Sequence, residues 1–466
     1  MARRHQRNAL LAALLAEADW GAADLVRAIH RVGRAEGLDI HYDRTAVAHW
    51  LAGSRPKAPV PELVAEALTH RVGRLVRAVD TGLLPGADPQ EQDVHAVTAS
   101  KRESAAHRLV ALGRIDADPS RRARLLSLLY RQFLVDTGRD AASPTPVPGQ
   151  RAETALRVPR QGPWTTTADV ELLRAMVASF ASYAAQFGGG HARAVPAAYV
   201  ADDVGRMLTS AAPSELRAEM MTVLAQLTHV LGNMTVDAGH HGLAQRYYLL
   251  AVQIATEAGD RRGRAIALRA MSVQATQLGA RRYAAELAEA AVDAAGLSCD
   301  GDLQAFLLAQ RAHTRALTQD SRGALKDLAA AERNLERTSG NSGPFASYPK
   351  AGFAYQRGQT LYLLGETAAA LSALSYAAQR RAPHERRVRA LTHARFAEVL
   401  LELGRVEEAC THAAAFADDY PLLRSHWAVL ALKTLRARLA AFPRVRRAAA
   451  LLQRLRELEA GTPPVN

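Results

Sequence analysis

Two groups of residues in this chain have the types and spacing to touch a ligand. The first lies in RTAVAHWLAGSRPK, residues 44–57. Arg44, Thr45, Ala46 and His49 share the outward turns of a short helix, and Arg55 and Lys57 follow the Gly53 that stops it. Short or hydrogen-bonding side chains near a helix N-terminus can reach base edges in a major groove. Cations just past the helix fall where flanking phosphates run. The expected partner is double-stranded DNA. The second group sits three and six residues ahead of the Gly of recurring Leu-Gly pairs: Gln226 and His229, Thr276, Gln359 and Tyr362, and Glu398. Such positions face inward in stacked helical hairpins, and here they are polar or aromatic where a sealed core would take Leu. Amides can bond an extended backbone while a Tyr ring packs its side chains, so a peptide or small effector is expected. Polar groove lining without any ligand is the alternative.

Other candidate chemistry is weaker. FGGGHARA (187–194) invites an anion-cradle reading, because consecutive glycine N–H groups can surround a charge and His191 and Arg193 stand beside them. It lacks the Gly-Lys-Ser/Thr of a phosphate loop, and a helix-capping turn is the competing expectation. His240-His241 are adjacent, so on a helix they point about 100° apart and poorly suit one metal ion. Asp237 just before them reads as an N-cap for LAQRYYLLAVQIA. No HExxH, GxSxG, GxGxxG or paired-carboxylate pattern appears, so no enzyme, cofactor or metal site is expected.

These groups need helices to present them. NALLAALLAEA and AADLVRAIHRVGRAEG give two, separated by a turn at Asp19-Trp20-Gly21. DRTAVAHWLAG gives a third with Asp43 as N-cap, and Pro61 suits the first turn of a fourth. Leu25, Ile29, Val47, Trp50 and Leu51 recur at helical spacing and can share one core. Residues 86–163 carry one or two helices, then a Pro/Gly-rich run at 142–163 that reads as a linker. From Trp164 to about Arg456 the pattern is hairpins. Their corners are expected at Leu231-Gly232, Leu278-Gly279, Leu364-Gly365 and Leu403-Gly404, with a degenerate copy near Leu317-Thr318.

Composition agrees with a mostly helical chain of 466 residues, rich in Ala and Leu and only 5% aromatic. The formal charge of +13 fits a polyanionic partner, yet the first 85 residues hold 12 Lys/Arg against 9 Asp/Glu, so pattern outweighs charge. Cys299 and Cys410 show no metal spacing, and no run of about 18 apolar residues appears. The start, MARRHQRNALLAALLAEADW, imitates a signal peptide, but Glu17 and Asp19 close its short apolar run. A cytoplasmic protein with no membrane span is expected.

The third helix resembles that of the Xre/Cro helix-turn-helix superfamily, through Thr45, Val47, Ala48, Trp50, Gly53 and Arg55-Pro56. The link before it is longer than usual, and Gly21-Ala22-Ala23 stands where Ser-Gln commonly opens helix two. The hairpins resemble divergent tetratricopeptide (TPR) repeats. WTTTADVELLRAM, FGGGHARAVPAAYVADDV, DAGHHGLAQRYYLLAVQIATEAGD and LRAMSVQATQLG are similar to segments of actinobacterial regulators of sporulation and antibiotic production. The architecture also resembles that of peptide-pheromone receptors. These resemblances imply an all-α chain: a helix-turn-helix DNA-binding domain over 1–85, a connector and linker over 86–163, and a TPR-like solenoid over 164–466. They imply a homodimeric transcriptional regulator with a sensing repeat domain. The alternative is a repeat scaffold whose first domain docks a protein.

Overall fold

The computed structural model describes residues 7–35, 40–57, 59–72, 76, 78–84, 103–126, 128, 130, 164–296, 299–336 and 348–461. The linker expected at 142–163 lies outside them. Among the described residues there is no strand, and one isolated bridge pairs Trp164 with Ala211. The chain divides into two compact units. One is Met1–Lys101 with the short segments Leu129–Phe133 and Leu278–Ala280, and the other is the remainder.

In the first unit, α1 (Ala9–Glu17), α2 (Ala22–Ala35), α3 (Arg44–Leu51) and α4 (Val60–Val72) precede a 3-10 turn at Ala78–Thr81. Local chemistry sets the boundaries. The Asn8 side chain caps α1 by accepting from Leu11 N (3.0 Å), and Asp43 caps α3 by accepting from Ala46 N (2.9 Å). Beyond α3, Gly53 has φ +103°, a backbone that a Cβ disfavours, so the helix stops there. Leu25, Ile29, Val47 and Trp50 are buried in one core as their spacing requires, with Leu51 packed at its edge. The Tyr42 and Trp50 rings lie 5.4 Å apart.

In the second unit, α5 (Ala105–Ala117) and α6 (Pro119–Leu126) belong with the repeats. The long α7 (Thr167–Phe187) opens with a capping box between Thr166 and Asp169. After it come α8 (Ala194–Tyr199), a π-turn at Val200–Val204 and α9 (Gly205–Thr209). Helix pairs then follow in succession: α10 (Ser214–Asp237) with α11 (His241–Glu257), α12 (Arg261–Gln277) with α13 (Arg281–Ala295), and α14 (Gly301–Leu317) with α15 (Ser321–Glu336). The series continues with α16 (Lys350–Leu363) and α17 (Thr367–Arg380), α18 (Arg386–Glu402) and α19 (Val406–Asp419), and α20 (His426–Leu439) and α21 (Arg446–Ala460). Consecutive helices of each pair pack together, which makes an all-α helical-repeat array.

Gly279, Gly365 and Gly404 turn their hairpins with φ between +72° and +82°, and Gln319 serves the degenerate corner at +69°. The first corner differs from expectation. Leu231-Gly232 lies inside α10, where Gly232 lets the Tyr248 ring approach: a Cβ there would sit 2.6 Å from it. The chain turns instead at Gly239, with φ +90°. Asp237 accordingly ends α10 and does not cap α11, whose N-cap residue is His240.

Candidate functional site

Asp237 closes the repeat array on itself. Its carboxylate accepts from the Gly189 N–H (2.6 Å), the Ser425 hydroxyl (2.6 Å) and the Arg387 guanidinium (2.6 Å). Two backbone bonds reinforce the closure, Arg424 N to Phe187 O (2.7 Å) and Gly190 N to Arg424 O (2.8 Å). These contacts join α7 and α10 near the start of the array to α18 and α20 near its end. The expected anion cradle at FGGGHARA is therefore spent internally: Gly188 N also bonds Ala184 O, so all three glycine N–H groups have protein acceptors. A Cβ on Gly188 would meet the Arg424 carbonyl at 2.5 Å, so close approach is the role of these glycines. Arg193 is likewise committed. It grips fully buried Asp116 of α5 through two bonds (2.6 and 2.8 Å), and Tyr247 Oη donates to the same carboxylate (2.6 Å).

Inside this closure lies a cavity of about 520 Å³, a size typical of small-ligand pockets. Its walls come from α7, α10, α11, α12, α14, α18 and α20. Tyr248 Oη donates to Asn233 Oδ1 (2.7 Å), and Asn233 Nδ2 lies 2.9 Å from His229 Nε2. Burial, then the nearby Arg269 cation, depress His229 to about 4, so it is neutral at physiological pH. Arg269 lines the cavity with its Nε donating to the Phe306 carbonyl (2.9 Å) and its guanidinium 3.5 Å from the Phe306 ring centroid. Burial lowers it to about 10, opposed by Tyr348, which leaves it charged. Among the described residues it pairs with no carboxylate, whereas Arg387 is balanced by Asp237 and Arg262 by Asp300.

Of the residues expected to contact a ligand, His229 lines this cavity and Gln226 borders a smaller one of about 70 Å³ beside it. The others lie outside both. Thr276 donates to Ser272 O (2.9 Å) and receives Gln310 (3.4 Å). Tyr362 bonds Glu402, and its ring lies 5.6 Å from the guanidinium of Arg395, which also grips Glu398 at 3.0 Å. Gln359 sits half-buried on the same helix as Tyr362. Counting three and six back from the true corner at Gly239 reaches Val236 and Asn233, and both line the cavity. From Gly365 and Gly404 the same count reaches no residue of the cavity wall.

In the first unit, Arg44, Thr45, His49, Arg55 and Lys57 are exposed around α3, while Ala46 is half-buried against the core. Arg44, Arg55 and Lys57 form no ion pair with any described residue. The adjacent histidines 240 and 241 do not gather a ligand set. His241 stacks edge-on with Trp427 at 5.7 Å, and among the described residues no group of three or more His, Cys, Asp or Glu is placed to hold a metal.

The described residues therefore form an all-helical structure with a cavity lined by the repeat array, and no described helix is long and apolar enough to cross a membrane. Residues 11–84 match the family described as the SP15 N-terminal domain, which covers most of the first unit and none of the repeats. Among curated proteins none matches the chain.

Proposed function

We propose that the chain is a cytoplasmic transcriptional regulator whose first unit is a helix-turn-helix that binds double-stranded DNA and whose TPR-like repeat unit senses an effector. The observation that carries the DNA half is the exposed cationic set around α3, Arg44, Arg55 and Lys57, which pairs with no carboxylate among the described residues, with His49 and Thr45 between them. The Val47 and Trp50 side chains anchor the opposite face of the helix in the core, which turns this set outward. The open cavity of the repeat unit supports the sensing half. So few cations give modest affinity, so specific binding requires a homodimer on half-sites about one helical turn apart.

The test is mapping of the DNA bound by the chain in its native host, paired with salt-dependent binding in vitro. Charge reversal, Arg55→Glu with Lys57→Glu, weakens binding to all sequences and flattens the salt dependence, because fewer counterions are released. Recovery of protein partners with no enriched DNA would replace this reading with that of a docking scaffold.

A further inference from the structure

The cavity wall poses a charge problem. Asp116 is fully buried and held by Arg193 and Tyr247, and Asp327 is held by Arg311 and Arg315. Arg269 alone among the cavity's arginines has no carboxylate. Arg269 is half-buried, and a cation partly withdrawn from water is costly unless an anion accompanies it. Its Nε is committed to the Phe306 carbonyl, while its two terminal nitrogens bond no described residue. The edge between those nitrogens is the part of a guanidinium that matches the two oxygens of a carboxylate.

We propose that this cavity binds a monocarboxylate with an apolar body, the carboxylate seated on the terminal nitrogens of Arg269. The proposal deepens the sensing half of the function above and rests on it only for the consequence at DNA. The body packs against Phe306, Tyr348, Ile266 and Val273, which line the same space. Arg269 offers one guanidinium edge to one carboxylate, and Asp302, also in the wall, opposes a more highly charged anion such as phosphate. A free small acid and the C-terminal residue of a peptide share this chemistry.

The experiment uses the full chain, calorimetric titration and thermal shift. The probes are octanoate, 4-phenylbutyrate, their primary amides, inorganic phosphate, and short apolar peptides with free or amidated C-termini. The acids bind saturably and at least tenfold more tightly than the amides, and Arg269→Gln erases that difference. Preference for the free acids or for the free-C-terminus peptides identifies the source of the carboxylate. The unliganded Arg269→Met protein melts no lower than the wild type, since removing a cation that has no carboxylate offsets the lost bond to the Phe306 carbonyl. Equal binding of acids and amides, tighter binding of phosphate, or acid affinity unchanged by Arg269→Gln overturns the proposal. So does the absence of saturable binding by any acid or free-C-terminus peptide, or a large loss of melting temperature in unliganded Arg269→Met. Carboxylate binding by a chain that retains no DNA upholds the site and removes the regulator; DNA binding without any carboxylate binding does the reverse.

Discussion

Asn8 and Asp237 hold comparable posts in the two units, and they differ in what they hold. Asn8 ties the start of its unit together with neutral bonds: its side chain caps α1 and donates to Thr81 O (2.9 Å), and its backbone donates to Leu51 O (2.9 Å). Asp237 is a nearly buried charge that collects donors from residues 189, 387 and 425. The first unit is a small apolar core with capped helices, and its cations around α3 are left facing water. Many arginines of the repeat unit are held by carboxylates, as Arg193, Arg311 and Arg387 are, whereas Arg269 lines the cavity with no carboxylate among the described residues.

The sharpest way to break this contrast is Trp50→Ala. Removing the aromatic anchor costs the first unit roughly 3–5 kcal/mol, read as loss of its own thermal transition while the repeat transition stays. Simultaneous loss of both transitions would show that the units do not melt independently.

Acid acts on the other side. His229 and His313 are depressed to about 4, chiefly by burial, well below the ordinary histidine value of 6.5. The folded chain therefore binds fewer protons than the unfolded chain, and this stability is whole above about pH 6.5 and lost as pH falls toward 4. By pH 5 the loss is about 1–2 kcal/mol for each of these histidines, seen as a falling melting temperature of the repeat transition. His241 and His412, also near 4 through burial, add to the same trend.

Asp237→Ala removes a charged acceptor from three donors and costs the repeat unit about 2–3 kcal/mol. Hydrogen exchange should then rise together at residues 188–190 and 424–425, the two strands of chain that the carboxylate joins. Exchange rising at only one of them would mean that the closure does not depend on Asp237. The smallest change in stability belongs to His49→Ala, an exposed position on α3. Melting of the first unit stays within about 0.5 kcal/mol of wild type, and the preferred bases in selected DNA shift. A selected sequence identical to the wild type's would take His49 off the reading face.

Much of the first unit was legible because its determinants are local. An Asp ahead of a helix accepts from the N–H three residues on, a Gly past its end takes φ +103°, and Val47 and Trp50 three apart share a face. The second unit was legible as hairpins and less so as a site. Leu231-Gly232 has the same letters as a corner, yet Gly232 is used there for contact with Tyr248, and the turn comes at Gly239. That displacement shifted only Gln226 and His229; Thr276, Gln359, Tyr362 and Glu398 were counted from true corners and still lie off the cavity wall.

The sequence by itself determined the helices, most of their ends and the core face of α3, because each depends on residues within a few turns of one another. Only the tertiary structure decided that Asp237 meets residues 189, 387 and 425, and that Arg269 faces the resulting cavity without a carboxylate. Ion pairing depends on distances of a few ångströms between segments far apart in the chain, and residue spacing along a helix carries no information about them.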